Sequence, residues 1–201
     1  MVRKKLNKDE ITSFQTRSIE AARQLFMDGG LEAMTMRNIA KQLNCSPMAP
    51  YRYFENLEAL VAALRASLFE IFTKYLNDAM SANLKPKQRI GILAKTYLDY
   101  ALENPTDYKL MFDLAPPKVA CMELEKQSAL SFEPLRVAAR ELAFEGVLSV
   151  SAETYAHLLW AQLHGLVSLY LSRKLNFGMS IEALVDAFLT QLNGTLGITG
   201  E

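Results

Sequence analysis

Apolar residues return every three or four positions along nearly the whole chain, the period with which an α-helix turns one face toward a core. Nowhere does a two-residue alternation of apolar and polar positions run up to a hairpin turn, so the sequence predicts an all-α protein. At 201 residues, half of them hydrophobic, the chain can bury one or two cores. Its longest uninterrupted apolar run, Ala59 to Leu64, stops at Arg65, far short of the roughly 20 residues that cross a bilayer. The basic N-terminus is not followed by the apolar stretch of a secretion signal. A cytoplasmic protein with no membrane partner is expected.

The N-terminal third reads as four helices. The first is expected from Ser13 to Met27, with Ile19, Ala22, Leu25 and Phe26 on one face and Asp28-Gly29-Gly30 as a left-handed stop. The second starts behind Thr35, whose hydroxyl can cap it, and buries Met36, Ile39, Ala40 and Leu43. A very short third helix is expected with Ser46 as its cap, Pro47 at its first position and Pro50 at its fourth. At about 100° per residue, Pro47, Met48, Tyr51 and Arg52 gather on one side of it, while Pro50 and Phe54 face the other. Asn56 then caps a long helix from Leu57 to Met80 with Leu60, Leu64, Leu68, Ile71 and Phe72 in a stripe.

Second and third helices joined by a tight turn outline a helix-turn-helix DNA reader. Charge agrees: residues 1–65 hold 10 Lys and Arg against 7 Asp and Glu, the remainder 12 against 15. Arg3, Lys4, Lys5 and Lys8 form a basic arm able to meet phosphate. Residues Ile19 to Leu60, with AA-x-x-LF, the paired glycines, T-x-x-x-IA and Y-x-YF-x-N-x-x-x-L in register, resemble the N-terminal domain of the tetracycline-repressor (TetR) family. The resemblance implies a DNA-binding domain over residues 12–72, its helix-turn-helix at about 35–54, and an effector-binding and dimerisation domain over 73–201. It also implies roles by position. Thr35 and Arg37 would approach a phosphate and a base edge, Ser46, Pro47, Met48 and Ala49 would face bases, and Tyr51 and Tyr53 would donate to phosphates. Arg37 has the fork that matches guanine O6 and N7. Arg52 is placed at the edge of the DNA-facing set. Two positions depart from the family pattern: Leu57 stands where a phosphate-binding lysine is common, and Asn44 where glycine is common.

Downstream, helices are expected at about Pro86 to Glu103, presenting Ile90, Leu93, Tyr97, Tyr100 and Ala101, and after Asn104-Pro105, capped by Thr106 and carrying Tyr108, Leu110, Met111 and Phe112. A further helical region, Cys121 to Phe144, is expected to kink or break near Ser131 to Pro134, and two more helices follow at Ser151 to Lys174 and Ser180 to Leu196. NPTDYKLMF and WAQLHG resemble a TetR C-terminal domain known for a Trp-His-Gly signature. That resemblance implies a homodimer and a pocket for a small apolar or amphipathic effector. Leu159, Leu163, Leu166, Val167 and Tyr170, with Ile181, Leu184, Val185, Phe188 and Leu192, supply candidate dimer stripes, or else intramolecular core. Tyr97, Tyr100, Met111, Phe112, Trp160 and His164 combine apolar walls with polar tips, as small-molecule sites do.

Chemistry other than binding finds little support. No nucleophile-base pair, paired inward carboxylates or phosphate-cradling glycine loop is present, so an enzyme is not expected. Cys45 and Cys121 have no close Cys or His and read as small packed side chains, and the pair His157 and His164, even with Glu153 nearby, reads as structural because no third ligand at tight spacing accompanies it. Neither metal nor cofactor is expected. The function implied is a ligand-responsive regulator, most simply a repressor of a palindromic operator; the alternative is a helical sensor or adaptor without specific DNA binding.

Overall fold

The computed structural model describes residues 7–80, 84–118, 121–175 and 178–195. Among these residues it contains eight α-helices, one 3-10 turn and no strand, as the periodicity predicted. None of the described helices is long and apolar enough to cross a membrane. Arg3, Lys4 and Lys5 of the basic arm, and Leu196 at the expected end of the last helix, lie outside the described residues.

Helix α1 (Lys8–Ala33) begins earlier than Ser13 and continues past the glycines after a break. Gly30 takes φ 68°, the left-handed geometry expected of the stop. Gly29 is needed for a different reason: a Cβ there would lie 2.8 Å from the Ala33 Cβ. Helix α2 (Met36–Gln42) is capped as expected, the Thr35 Oγ1 accepting from the Asn38 N–H at 3.1 Å. It ends in paired reverse bonds, Asn44 N–H to the Lys41 carbonyl at 3.1 Å and Cys45 N–H to the Ala40 carbonyl at 3.0 Å, with Asn44 left-handed at φ 52°.

The expected third helix shrinks to a 3-10 turn, Pro50–Arg52. Pro47 at the first position costs nothing, but Pro50 has no N–H to give the Ser46 carbonyl, so the first bond of an α-helical ladder is missing. Three-residue bonds close the segment instead, Ala49 N–H to Ser46 carbonyl at 2.9 Å and Arg52 N–H to Ala49 carbonyl at 3.1 Å. The facing is as predicted, with Pro50 and Phe54 buried and Met48 and Tyr51 exposed. Helix α3 (Leu57–Asp78) is capped by Asn56, whose Oδ1 accepts from the Ala59 N–H at 2.8 Å. Leu60, Leu64, Leu68 and Phe72 are buried, but Ile71, about 100° round the helix from Phe72, is exposed.

Two compact units result, one from residues 1–68 with 114–127, the other from 69–113 with 128–201. The first packs α1 against α2, and α2 against the 3-10 turn, around fully buried Ala22, Met34, Ile39, Leu60 and Leu64. Within it the segment after residue 113 is tied to α3: the Lys118 N–H donates to the Glu58 carboxylate, and Arg65 Nη1 to the Ala115 carbonyl at 3.1 Å.

In the second unit α4 (Pro86–Glu103) packs against α5 (Pro105–Phe112), α7 (Ala152–Leu171) and α8 (Ile181–Thr195). Ile90, Leu93, Tyr97, Tyr100 and Ala101 are all buried, as the spacing predicted. Thr106 does not cap α5, which already starts at Pro105. Helix α6 (Met122–Phe144) runs through Pro134 as one element, so of the kink or break expected there the break does not occur. The hydrogen bond lost there is to the carbonyl of Leu130, an exposed residue.

Candidate DNA interface and effector cavity

On the first unit most of the expected DNA-facing residues are exposed, while others pack against the unit's own core. Ser46, Pro47, Met48, Tyr51 and Arg52 are exposed, Met48 at 68% and Tyr51 at 48%. Arg37 is exposed at the start of α2 and, like Arg52, has no ion pair or hydrogen bond among the described residues, which leaves both guanidinium forks available. Thr35 and Ala49 are half-buried, and the Thr35 oxygen is already engaged in the cap. Tyr53 differs from Tyr51. Its ring stacks on Phe14 of α1, centroids 4.2 Å apart and planes 21° from parallel, so it fixes the 3-10 turn on α1. Leu57 is half-buried in the first turn of α3.

The second unit contains a partly open cavity of about 250 Å³, with the exposed Ala129 and His157 on its lining. Phe72 and Leu76 reach it from α3, Leu93 and Tyr97 from α4, and Phe112 from α5. Its opposite wall is α6, with Phe132 and Leu135, and α7, with His157, Trp160 and Leu163. Three of the six expected effector residues, Tyr97, Phe112 and Trp160, therefore line one cavity. Tyr100, Met111 and His164 do not line it; Tyr100 and Met111 are core residues. Phe72, Leu93, Phe132 and Leu135 are wall residues that sequence reasoning missed, because a core stripe and a cavity wall have the same period.

Behind the cavity lies a polar chain. The Tyr97 and Tyr108 hydroxyls are 2.6 Å apart, and the Tyr108 hydroxyl is 2.7 Å from His164 Nδ1. Burial pushes both phenols well above their ordinary range. Burial also holds His164 below its ordinary value, against the opposing pull of Asp113. The imidazole is thus neutral at pH 7, and the chain carries hydrogen bonds without charge. His157 is engaged differently, its Nδ1 lying 2.8 Å from the Glu153 carbonyl oxygen.

Comparison with known proteins places this architecture. The family model described as "Bacterial regulatory proteins, tetR family" matches residues 19–64, and "Tetracyclin repressor-like, C-terminal domain" matches residues 90–192, just over half of the chain. The chain belongs to the TetR family of bacterial transcriptional regulators. Nucleoid occlusion factor SlmA of Haemophilus influenzae (strain PittGG) is 28% identical over 123 residues, 54% of this chain and 56% of SlmA. The chain spans little more than half the length of that relative. Among solved structures, a protein of unknown function from Rhodococcus sp. RHA1 superposes with TM-score 0.77 at 23% identity, covering 89% of this chain and 93% of the other. The fatty acid degradation regulator FadR of Bacillus halodurans gives TM-score 0.72 at 16% identity, covering 94% and 96%. At these identities the two structures establish a shared fold.

TetR-family regulators bind DNA and dimerise, so the surface of α7 and α8 matters. Leu159, Leu163 and Val167 are buried in the chain's own core, as are Ile181 and Leu192, and so take the intramolecular option the stripes left open. Leu166, Leu184, Val185 and Phe188 are half-buried, and Tyr170 is exposed. Leu158 at 56% and Leu169 at 44% exposure lie on the outer side and were not anticipated. Leu158 and Phe188 border a largely apolar groove between α7 and α8, together with Tyr155 and Gln162.

Proposed function

We propose that the protein is a ligand-released repressor: a homodimer whose DNA-binding part, residues 12–72, reads a palindromic operator, and whose residues 73–201 hold the effector and the dimer contacts. The reading segment, Arg37 with Ser46 to Tyr53, enters the major groove once per subunit, in successive grooves. Trp160, His164 and Gly165 support assignment of the C-terminal part to the Trp-His-Gly kind of TetR domain.

The observation that carries the release mechanism is that one unbroken helix serves both ends. Helix α3 starts beside the Asn56 cap, directly after the reading segment, and carries Phe72 and Leu76 on the cavity wall. An effector that fills the cavity displaces those side chains and moves α3, so effector and operator prefer different positions of the same element. The test is fluorescence anisotropy of labelled DNA from the protein's own promoter region, titrated with and without ligands that raise its melting temperature. Operator affinity is expected to fall with salt and on ligand binding. Affinity unchanged by every ligand that binds would refute the coupling. A sensor without specific DNA binding is the second reading, favoured by Leu57 where a phosphate-binding lysine is common. It predicts binding insensitive to Arg37→Ala combined with Tyr51→Phe.

A further inference from the structure

The cavity's walls discriminate among ligands by charge and shape. Among the described residues no Lys, Arg, Asp or Glu side chain lines it, and its one imidazole, the exposed His157, lies 3.6 Å from the Glu153 carboxylate, so a carboxylate or ammonium entering among the rings would leave water without meeting a dedicated counter-ion. Five rings do line it: Phe72, Tyr97, Phe112, Phe132 and Trp160. They meet edge to face, Phe72 with Tyr97 at 5.4 Å and 76°, Phe72 with Phe112 at 6.4 Å and 89°, Phe132 with Trp160 at 5.9 Å and 63°. Rings so arranged offer both faces and edges to a further ring. Since an apolar cavity of about 150 Å³ holds benzene, about 250 Å³ leaves room for two fused rings.

Polar side chains on the wall are few: Tyr97 from α4, Ser128 and Ser131 from α6, and His157 from α7. A hydroxyl has one hydrogen and two lone pairs, and at Tyr97 the 2.6 Å contact with Tyr108 and the hydrogen bond with Trp160 use two of these three. The Tyr108–His164 bond behind it fixes that pairing, so Tyr97 keeps hydrogen-bonding capacity for a ligand on the cavity wall.

We infer that the cavity takes an uncharged aromatic molecule of one or two rings carrying a hydroxyl, and excludes acids and amines of the same shape. This rests on the reading of the cavity as the effector site. Trp160, the chain's one tryptophan, lines the cavity, so its fluorescence reports occupancy without DNA present. The probes are 2-naphthol, naphthalene, 2-naphthoate and protonated 2-(aminomethyl)naphthalene, titrated at pH 7 by Trp160 emission and by calorimetry. One 2-naphthol is expected to bind per chain, at least tenfold tighter than either charged probe. Tyr97→Phe is expected to cost 2-naphthol about fivefold and leave naphthalene unchanged. Ala129→Phe, a change at an exposed position on the cavity lining, is expected to weaken both neutral probes. The inference is overturned if 2-naphthol does not bind, if a charged probe binds as tightly, or if 2-naphthol binding survives both substitutions undiminished. Binding of 2-naphthol without loss of operator affinity upholds the ligand class and refutes release. Release by 2-naphthoate does the reverse.

Discussion

Asn44 illustrates what a single residue contributes. It occupies left-handed backbone at φ 52° in the turn after α2, a geometry that asparagine tolerates and β-branched residues resist. Asn44→Val should lower stability by about 1–2 kcal/mol, and Asn44→Gly should be neutral or stabilising; urea midpoints separate the two. His164 gives a pH dependence whose sign follows from its depressed pKa. Above pH 6.5 the folded and unfolded chains both hold it neutral, whereas below 6.5 the unfolded chain takes up the proton first and stability is lost. The melting temperature should therefore fall between pH 7 and about 5.5, and fall less in His164→Gln. On the DNA side, Arg37→Ala should cost about 1–3 kcal/mol and relax preference at one base pair, while Tyr51→Phe should weaken binding evenly across sequences. The same residues mark a limit of sequence reading. Tyr51 and Tyr53 stand two apart in one motif, yet only the structure reveals that Tyr53 is stacked on Phe14, a partner 39 positions away.

At the scale of elements, helix starts were the most legible because their chemistry is local. Thr35 and Asn56 cap α2 and α3 with their own side chains, three residues from the amides they satisfy. Thr35→Ala should destabilise by about 1 kcal/mol and Thr35→Ser should not, as thermal unfolding would register. Less legible were elements whose outcome depends on backbone bonds that proline removes. In the reading segment Pro50 removes the first i→i−4 bond and the backbone closes as a 3-10 turn, whereas Pro134 costs α6 a bond only at the exposed Leu130. Periodicity identifies the residues that share a face without telling what covers that face. Leu159, Leu163 and Val167 are spaced for a dimer stripe, yet the chain's own core covers them.

For the whole molecule, the outer side of α7 is where association can be tested. Leu158→Glu, at an exposed position outside the core, should leave the fold intact, convert the dimer to monomer in sedimentation velocity and weaken operator binding at the same protein concentration. The chain also passes between its two units three times, at 68–69, 113–114 and 127–128. Recombination that exchanges only the first 68 residues with a relative would part Glu58 and Arg65 from the Lys118 amide and Ala115 carbonyl that they hold. A chimeric regulator with a new operator preference therefore has to inherit two pieces of gene, the leading segment and the fourteen codons for 114–127, from the same parent.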